Sequence, residues 1–479
     1  MESIWSKTVQ MPAFPQLRGD RTADIAVIGA GMAGVLTAYL LRQKQADVVV
    51  LEATEVAGGQ TKNTTAKITS QHGLIYHRLA AQFGLEKAGQ YAAANEAAIR
   101  AYREIARQER IDCALETCPA FLYSTEDAGP LQREAEAAKK LGLPAAFTLE
   151  TSLPFPIAGA VRFENQAQFH PLAFLKAVCT GLPIFTHTRV LRVEGNRVET
   201  DYGTVTAERI VFATHYPFVN VPGYYFMRMH QSRSYVVALK NAPRLDGMYY
   251  GVDPNSWSMR NAEGLLLLGG GSHRTGENRT GGQYAALREQ AAAFWPGCTE
   301  SAHWSAQDCM TLDGVPYIGP FSASTPNWYV ATGFCKWGMT SSMVAAMLLT
   351  DALCGVSNPN APVFSPLRFT PDASAKTFFK DSMHAVRDLT RQAVAPPRAE
   401  IDALPPGHGG VVEYDGQKMG VYKEESGAVH LVSTRCPHMG CQLEWNPDEK
   451  TWDCPCHGSR FTCDGALIDN PAQENLPHL

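Results

Sequence analysis

Asp24-Ile25-Ala26-Val27-Ile28, then Gly29-Ala30-Gly31-Met32-Ala33-Gly34, a helical stretch to Leu41, and Val48-Val49-Val50-Leu51-Glu52 read as strand, glycine turn, helix, strand and acidic residue in unbroken order. Each glycine has its own task. Gly29 makes the tight turn out of the strand, Gly31 lets backbone approach a pyrophosphate, and Gly34 lets the helix pack close. The helix N-terminus faces the phosphate charge, and Glu52 is placed to accept hydrogen bonds from a ribose. A lone Gly-x-Gly-x-x-Gly is weak, but here all five parts fall in order, so the chain opens with a dinucleotide-binding unit of α/β Rossmann type.

At 479 residues the chain is long enough for about three domains. Its net charge of −5, with both signs mixed, implies no basic surface and no nucleic-acid partner. No apolar run approaches a bilayer span; Leu265–Leu268 and Met343–Leu349 are short runs of the kind found in cores, so no transmembrane segment is expected. Met1–Gln10 carries Glu2 and Lys7 without an apolar core, unlike a secretory signal, and the expected location is cytoplasmic. Of the twelve cysteines, five crowd between 436 and 463 and the others are scattered singly, which is no secreted disulfide framework.

The crowded cysteines lie in two loops, Cys436-Pro437-His438-Met439-Gly440-Cys441 and Cys454-Pro455-Cys456-His457-Gly458-Ser459. Each offers one thiolate and one imidazole, the ligand set of a Rieske [2Fe-2S] cluster, with two Cys on one iron and two His on the other. Two Cys and two His also close a zinc tetrahedron, although zinc modules usually pair Cys with Cys and His with His along the chain. The region resembles cytochrome bc-type Rieske domains. The resemblance implies Cys436, His438, Cys454 and His457 as ligands, a Cys441–Cys456 disulfide tying the loops together, and the Ser459 hydroxyl as donor to a cluster sulfur. It departs at Phe461, where high-potential relatives carry a Tyr whose hydroxyl bonds a ligand sulfur, so the expected potential lies below the top of the Rieske range. Cys463 reads as a packed thiol.

Two further strands, Arg209-Ile210-Val211-Phe212-Ala213-Thr214-His215 and Trp328-Tyr329-Val330-Ala331-Thr332-Gly333, both end in Ala-Thr. With them, residues 20 to 356 resemble the D-amino-acid-oxidase-like FAD superfamily, which includes glycine and sarcosine oxidases. Gly58-Gly59-Gln60-Thr61 and Thr64-Thr65-Ala66-Lys67 are similar to the loop along the FAD pyrophosphate and isoalloxazine. Thr311-Leu312-Asp313-Gly314-Val315-Pro316-Tyr317-Ile318-Gly319-Pro320 resembles the family's T-x-D-G-x-P-x-I-G segment, and Gly333 to Thr340 the start of the helix facing the flavin. The resemblance implies FAD contacts from Gly29, Gly31, Ala33, Gly34, Glu52 and Ala53. It adds Gly59, Gln60, Thr61, Thr64, Thr65 and Ala66 from the loop, Val190 at the adenine, and Ala213, Thr214, Asp313, Gly333, Trp337, Gly338, Met339 and Thr340. The flavin is expected to be non-covalent, because Thr64 and Thr65 occupy the loop near which relatives attach it through Cys or His; His72 is the one nearby candidate. Sarcosine-oxidase-like enzymes carry Lys where this chain has Thr340, which argues against an amino-acid carboxylate. The whole chain resembles a bacterial family of FAD-dependent oxidoreductases with a fused C-terminal Rieske domain.

The expected fold class is thus an α/β Rossmann-type FAD-binding domain with an interleaved antiparallel-β (α+β) substrate domain, plus a small all-β Rieske domain. The FAD-binding domain is expected in pieces, 1–80, 155–215 and 301–356, and the substrate or roof domain at 81–154 and 216–300. Helical spacing marks Leu85–Arg110 and Pro130–Leu141, while alternation in Tyr235–Leu239 and the run Leu265–Leu268 suit an antiparallel sheet. Residues 357–409, with Pro359, Pro362, Pro396, Pro397, Pro405 and Pro406, read as a linker holding a short helix near Ala375–Gln392. The Rieske domain, 410–479, opens on a hairpin with an Asp415-Gly416 turn.

Flavin moves two electrons and the cluster one, so a chain holding both converts hydride chemistry into single-electron transfer. The expected reaction oxidises a small amine, or a related C–H donor, at the flavin and passes electrons singly through the cluster to an external carrier, a protein or a quinone. His438 or His457, exposed at the surface, would form the exit. Tyr235, Tyr250, Trp257, Arg260, His273, Lys336 and Trp337 are candidates for the substrate cavity, although packing explains each as well, and no catalytic base is assigned. Two alternatives remain. Electrons could run from cluster to flavin in a relay or reductase without the amine. A Rieske oxygenase would need a mononuclear iron on His72 and His77, but no Asp or Glu lies between Thr61 and Gly84 to complete its ligands.

Overall fold

The computed structural model describes residues 2–368, 404–414 and 417–477. The opening strand, Arg21–Ile28, lies at the centre of an eight-stranded sheet. Along the main path the order is Tyr317–Pro320, Trp328–Thr332, Gly203–Phe212, Arg21–Ile28, Val48–Leu51, Ile184–Phe185. All neighbours in this path are parallel except the first pair. Ile25 to Ile28 and Val48 to Leu51 are buried without alternation, as parallel strands covered on both faces require. The helices Met32–Gln43 and Gly338–Leu353 pack together against this sheet. Gly34 permits the first of these contacts: a Cβ there would stand 1.9 Å from the Gly29 carbonyl oxygen.

A second sheet of nine strands stands over the first. Its main path runs Thr299–Thr311, Met229–Lys240, Leu265–Arg274, Ser258–Ala262, Met248–Gly251, Glu116–Ser124, Gly159–Gln168, Lys67–Ile68. This differs from the partition expected from sequence. Gly159–Gln168 pairs with Glu116–Ser124, Thr299–Thr311 pairs with Met229–Lys240, and Lys67–Ile68 also joins, so three segments assigned to the FAD-binding pieces belong to the roof. Alternation reveals a half-buried strand but carries no label for its partner. The expected helices occur as Tyr76–Gln108 and Gly129–Lys140, the former interrupted at Gly84, whose φ of 84° no helix accommodates.

The C-terminal part is all β: a three-stranded sheet of Gly409–Tyr414, Gln417–Lys423 and Val429–Ser433, and a four-stranded sheet of Glu444–Asn446, Thr451–Asp453, Arg460–Thr462 and Leu467–Asp469. The first two strands pair antiparallel; the Asp415-Gly416 turn between them, like the helix expected at Ala375–Gln392, lies outside the described residues.

Asp313, in the segment resembling T-x-D-G-x-P-x-I-G, is fixed by Arg368, which donates from Nε at 2.7 Å and from Nη2 at 2.8 Å. Burial alone would raise the Asp313 carboxyl, but the guanidinium outweighs it and holds it below the usual range. Arg368 stacks over Tyr317 at 4.3 Å and donates to the Val315 and Pro316 carbonyls, so one side chain anchors the turn before the antiparallel edge strand. Arg368→Met strands a buried carboxylate and should cost roughly 3–5 kcal/mol in denaturant unfolding at neutral pH. The deficit should shrink as pH falls and Asp313 takes up a proton.

Candidate functional site: a dinucleotide cavity closed by a cluster domain

Between the sheets lies a cavity of about 670 Å³. One end is built from the glycine turn, where Gly29, Gly31 and Ala33 reach the wall, with Glu52, Ala53 and Val190 beside them. Glu52 is held by the Ala30 amide at 2.8 Å and by the amide and hydroxyl of Thr54 at 2.8 and 3.0 Å. The middle is lined by Gly59, Gln60, Thr61, Thr64 and Thr65 on one side and Ala213 and Thr214 on the other. Thr61 accepts from the Met32 amide at 3.0 Å, tying the loop to the helix N-terminus. At the far end Trp337, Gly338 and Met339 bring the start of the second helix to the wall.

Five of the expected contacts stand one layer back. Gly34 packs on the Gly29 carbonyl, Asp313 pairs with Arg368, and a Cβ on Gly333 would meet Thr311 at 2.3 Å. Thr340 exchanges hydrogen bonds with the Thr69 backbone, both 2.9 Å, and Ala66 lies fully buried beneath the loop. The residues present fit an extended dinucleotide. The first turns of two helices reach the wall, one at each end, and a Cβ added to Gly59 or Gly338 would meet no neighbouring side chain or loop within 4 Å, leaving open space beside the chain there.

Of the expected substrate residues, Tyr235, Tyr250, Lys336 and Trp337 line the cavity. Arg260 does not: its guanidinium donates to the Asn261, Thr65, Ala66 and Phe169 carbonyls, so it braces the flavin loop from behind. His273 is engaged by the Tyr235 hydroxyl and the Arg274 carbonyl, and Trp257 packs over Gly270. His72 is bonded through both nitrogens, to the Tyr91 hydroxyl and the Thr69 carbonyl, and stacks on Trp337 at 4.8 Å. It is a brace for Trp337, with no nitrogen free for a metal or a flavin bond.

Two polar groups were given no role of their own by the sequence. Lys67 is buried at the cavity wall and donates to the Ser258 hydroxyl; among the described residues no carboxylate pairs with it. Burial, helped by the nearby Arg260 charge, lowers its amine to about 7. Its signal in the sequence was its place at the end of the Thr64–Lys67 segment that resembles the flavin loop. Asp308 also reaches the cavity; burial raises its carboxyl, against the opposing charges of Lys336 and His215.

The cluster loops converge in the C-terminal domain. The thiols of Cys436 and Cys454 are buried beside each other, with Ser459, fully buried, next to Cys436. Each loop closes on itself, the Gly440 amide donating to the Cys436 carbonyl and the Gly458 amide to the Cys454 carbonyl, both at 2.9 Å. The imidazoles of His438 and His457 stand edge to face at 4.9 Å, and the Nδ1 atom of each is buried without a partner. Two buried sulfurs and two orphaned ring nitrogens on these paired loops are the donor set of a Rieske centre. Cys441 and Cys456 form the disulfide implied by the resemblance.

This domain sits on its own flavin domain. His438 Nε2 donates to Asn220 at 2.8 Å, and His457, only 7 % exposed, meets the Phe226 ring edge-on at 5.9 Å. Of the two imidazoles expected at the surface, His457 is therefore covered and His438 half-buried, because the loop between Thr214 and Met229 folds over them. The contact is tight: a Cβ on Gly458 would lie 2.6 Å from Gln231.

The sequence matches the FAD dependent oxidoreductase family DAO over residues 24–352 and the Rieske [2Fe-2S] domain over residues 396–479. The chain belongs to the DAO family of FAD dependent oxidoreductases and carries a C-terminal Rieske domain, so it is an oxidoreductase that binds FAD and a [2Fe-2S] cluster. It is 37% identical over 497 residues to YhfW of Bacillus subtilis (strain 168), a protein named for a Rieske 2Fe-2S centre, spanning 100% of this chain and 97% of that one. The cytochrome b6-f complex iron-sulfur subunit 3 of Nostoc sp. (strain PCC 7120 / SAG 25.82 / UTEX 2576) is 49% identical over 37 residues, 8% of this chain and 21% of that one. Glycine oxidase from Geobacillus kaustophilus shares the fold with a TM-score of 0.60 at 20% identity, over 73% of this chain and 99% of that one. L-proline dehydrogenase from P. horikoshii does so with a TM-score of 0.60 at 16% identity, over 74% and 98%. Among the described residues no helix is long and apolar enough to cross a membrane.

Phe461 is fully buried in the cluster-domain core. Phe461→Tyr supplies a hydroxyl near the ligand loops and should raise the cluster potential by about 60 mV, the one-electron equivalent of one net hydrogen bond. Redox titration followed by visible circular dichroism measures it.

Proposed function

We propose that the protein is a dehydrogenase that removes a hydride from the carbon beside the nitrogen of a small amine and passes the electrons singly through its own Rieske domain to an external carrier, a protein or a quinone. The observation that carries this reading is the docking of the cluster domain against the wall of the flavin cavity. Asn470 bonds the Thr214 and Tyr216 carbonyls at 3.0 and 2.7 Å, and Gln231 bonds the His457 carbonyl at 2.7 Å. When bound, the flavin accepts the hydride and the cluster relays single electrons. The residues of the chain orient the donor and exclude water. Trp337, fixed by its stack on His72, meets Tyr250 edge-on at 5.2 Å and supplies an aromatic wall. Lys67 is the group placed to take the ammonium proton, since only the neutral amine gives up a hydride readily. Electrons leave beside His438, where Met439 is exposed.

Anaerobic addition of amines, N-methyl amines and alcohols, with flavin bleaching and the EPR signal of the reduced cluster followed together, tests the reading. One compound should bleach the flavin and then develop the cluster signal. If none does, while a one-electron donor reduces the cluster first and the flavin afterwards, the chain is a relay or reductase.

With Lys67 lowered to about 7, flavin reduction should rise with pH through that value as the amine loses its proton, then level off. Lys67→Met should slow reduction about 10²-fold at neutral pH and move the rise to the substrate's own ammonium pKa, read by stopped-flow absorbance.

A further inference from the structure

The dinucleotide cavity has a wall that no dinucleotide-binding domain supplies. Leu467, Ile468, Asp469, Asn470 and Gln473, all from the cluster domain, face the same space as Gly29, Glu52 and Thr61. This segment is anchored on two banks. On one, Asn470 donates to the Thr214 and Tyr216 carbonyls at the end of the strand Gly203–Phe212. On the other, Gln60 of the glycine loop donates to Asp469 at 2.9 Å while accepting from the Gln307 amide at 2.8 Å. Asp469 is held from behind by Arg460 at 3.0 Å. Residues 467–473 therefore bridge the two flavin-domain segments, Gly59–Thr61 and Ala213–Thr214, that flank the middle of the cavity.

The bridge is not a free flap. It belongs to a sheet that is docked a second time, on residues behind the cavity wall: Asp448 accepts from Asn278 at 2.9 Å and from the Gly282 and Gln283 amides at 3.0 and 3.1 Å. None of these residues lines the cavity. Gln307 and Gln231, both fully buried, bond the Gly458 and His457 carbonyls and join the two regions. Moving the bridge means moving the domain.

We propose that residues 467–473 of the Rieske domain are part of the FAD site and form its lid, so that FAD enters and leaves only when the cluster domain undocks. The two events are thermodynamically linked: FAD binding tightens docking by the same factor by which docking tightens FAD. The inference rests on the FAD site and is independent of the substrate.

Hydrogen exchange on the wild-type chain with its cluster intact, compared with and without FAD, tests it. Loading FAD should slow amide exchange at least tenfold both in 467–473 and in the second docking segment 444–449, none of whose residues lines the cavity. Protection confined to 467–473 would show a contact without a lid and overturn the proposal, as would no change in either segment. A second measurement reads the reverse coupling. Asp448→Ala, outside the cavity, should release FAD at least tenfold faster on dilution, seen as flavin fluorescence, while the visible circular dichroism of the cluster is unchanged. Wild-type release from this variant, with faster exchange at 444–449 proving the interface loosened, would equally overturn it.

Discussion

Glu449 lies between two guanidiniums, Arg233 of the roof sheet and Arg460 of the cluster domain. Burial would raise its carboxyl, but the two cations outweigh that and hold it at about 2. Arg233 is 1 % exposed and Glu449 5 %, so neither charge has water to fall back on. Such a pair adds little net stability over an apolar contact, yet removing one partner is costly, which makes it a device for fixing one relative placement. The placement of the cluster domain decides which residues wall the cavity and which loop covers the imidazoles. Here a charge triad sets the geometry of an electron-transfer protein whose two cofactor sites come from different folds.

The parts of the molecule that could be read from sequence are those written locally. Gly29, Gly31 and Gly34 sit on one turn, and Cys436, His438, Cys454 and His457 sit in two short loops, so spacing alone carries their geometry. Sheet membership is different. Gly159–Gln168 and Thr299–Thr311 read as strands, but their partners lie far away in the chain. Arg260 shows the same limit for side chains: an arginine near a cavity looks like a ligand clamp until its four carbonyl acceptors, three of them 91 to 195 residues away, are in view. Residues 467–473 gave no signal at all, because nothing in Leu-Ile-Asp-Asn records that it will face a glycine loop four hundred residues earlier.

The cavity electrostatics follow from the same convergence. Lys67 comes from a two-residue edge strand, Lys336 from the turn before a helix, and Asp308 from a long roof strand, and only the stacked sheets bring them to one space. Lys67 carries its cost in a lowered amine; Asp308 carries its own in a raised carboxyl. Both shifts move the group toward its neutral form, the direction that burial imposes on any charge.

The cavity-facing segment Leu467–Asn470 also comes after every other wall in chain order. A ribosome building this chain finishes the glycine turn, both Ala-Thr strands and the Trp337 helix well before it reaches Leu467. At roughly 5–20 residues per second, the interval is on the order of ten seconds. During that time the cleft has its flavin-domain walls and lacks its cover, so biosynthesis itself provides a loading interval for FAD.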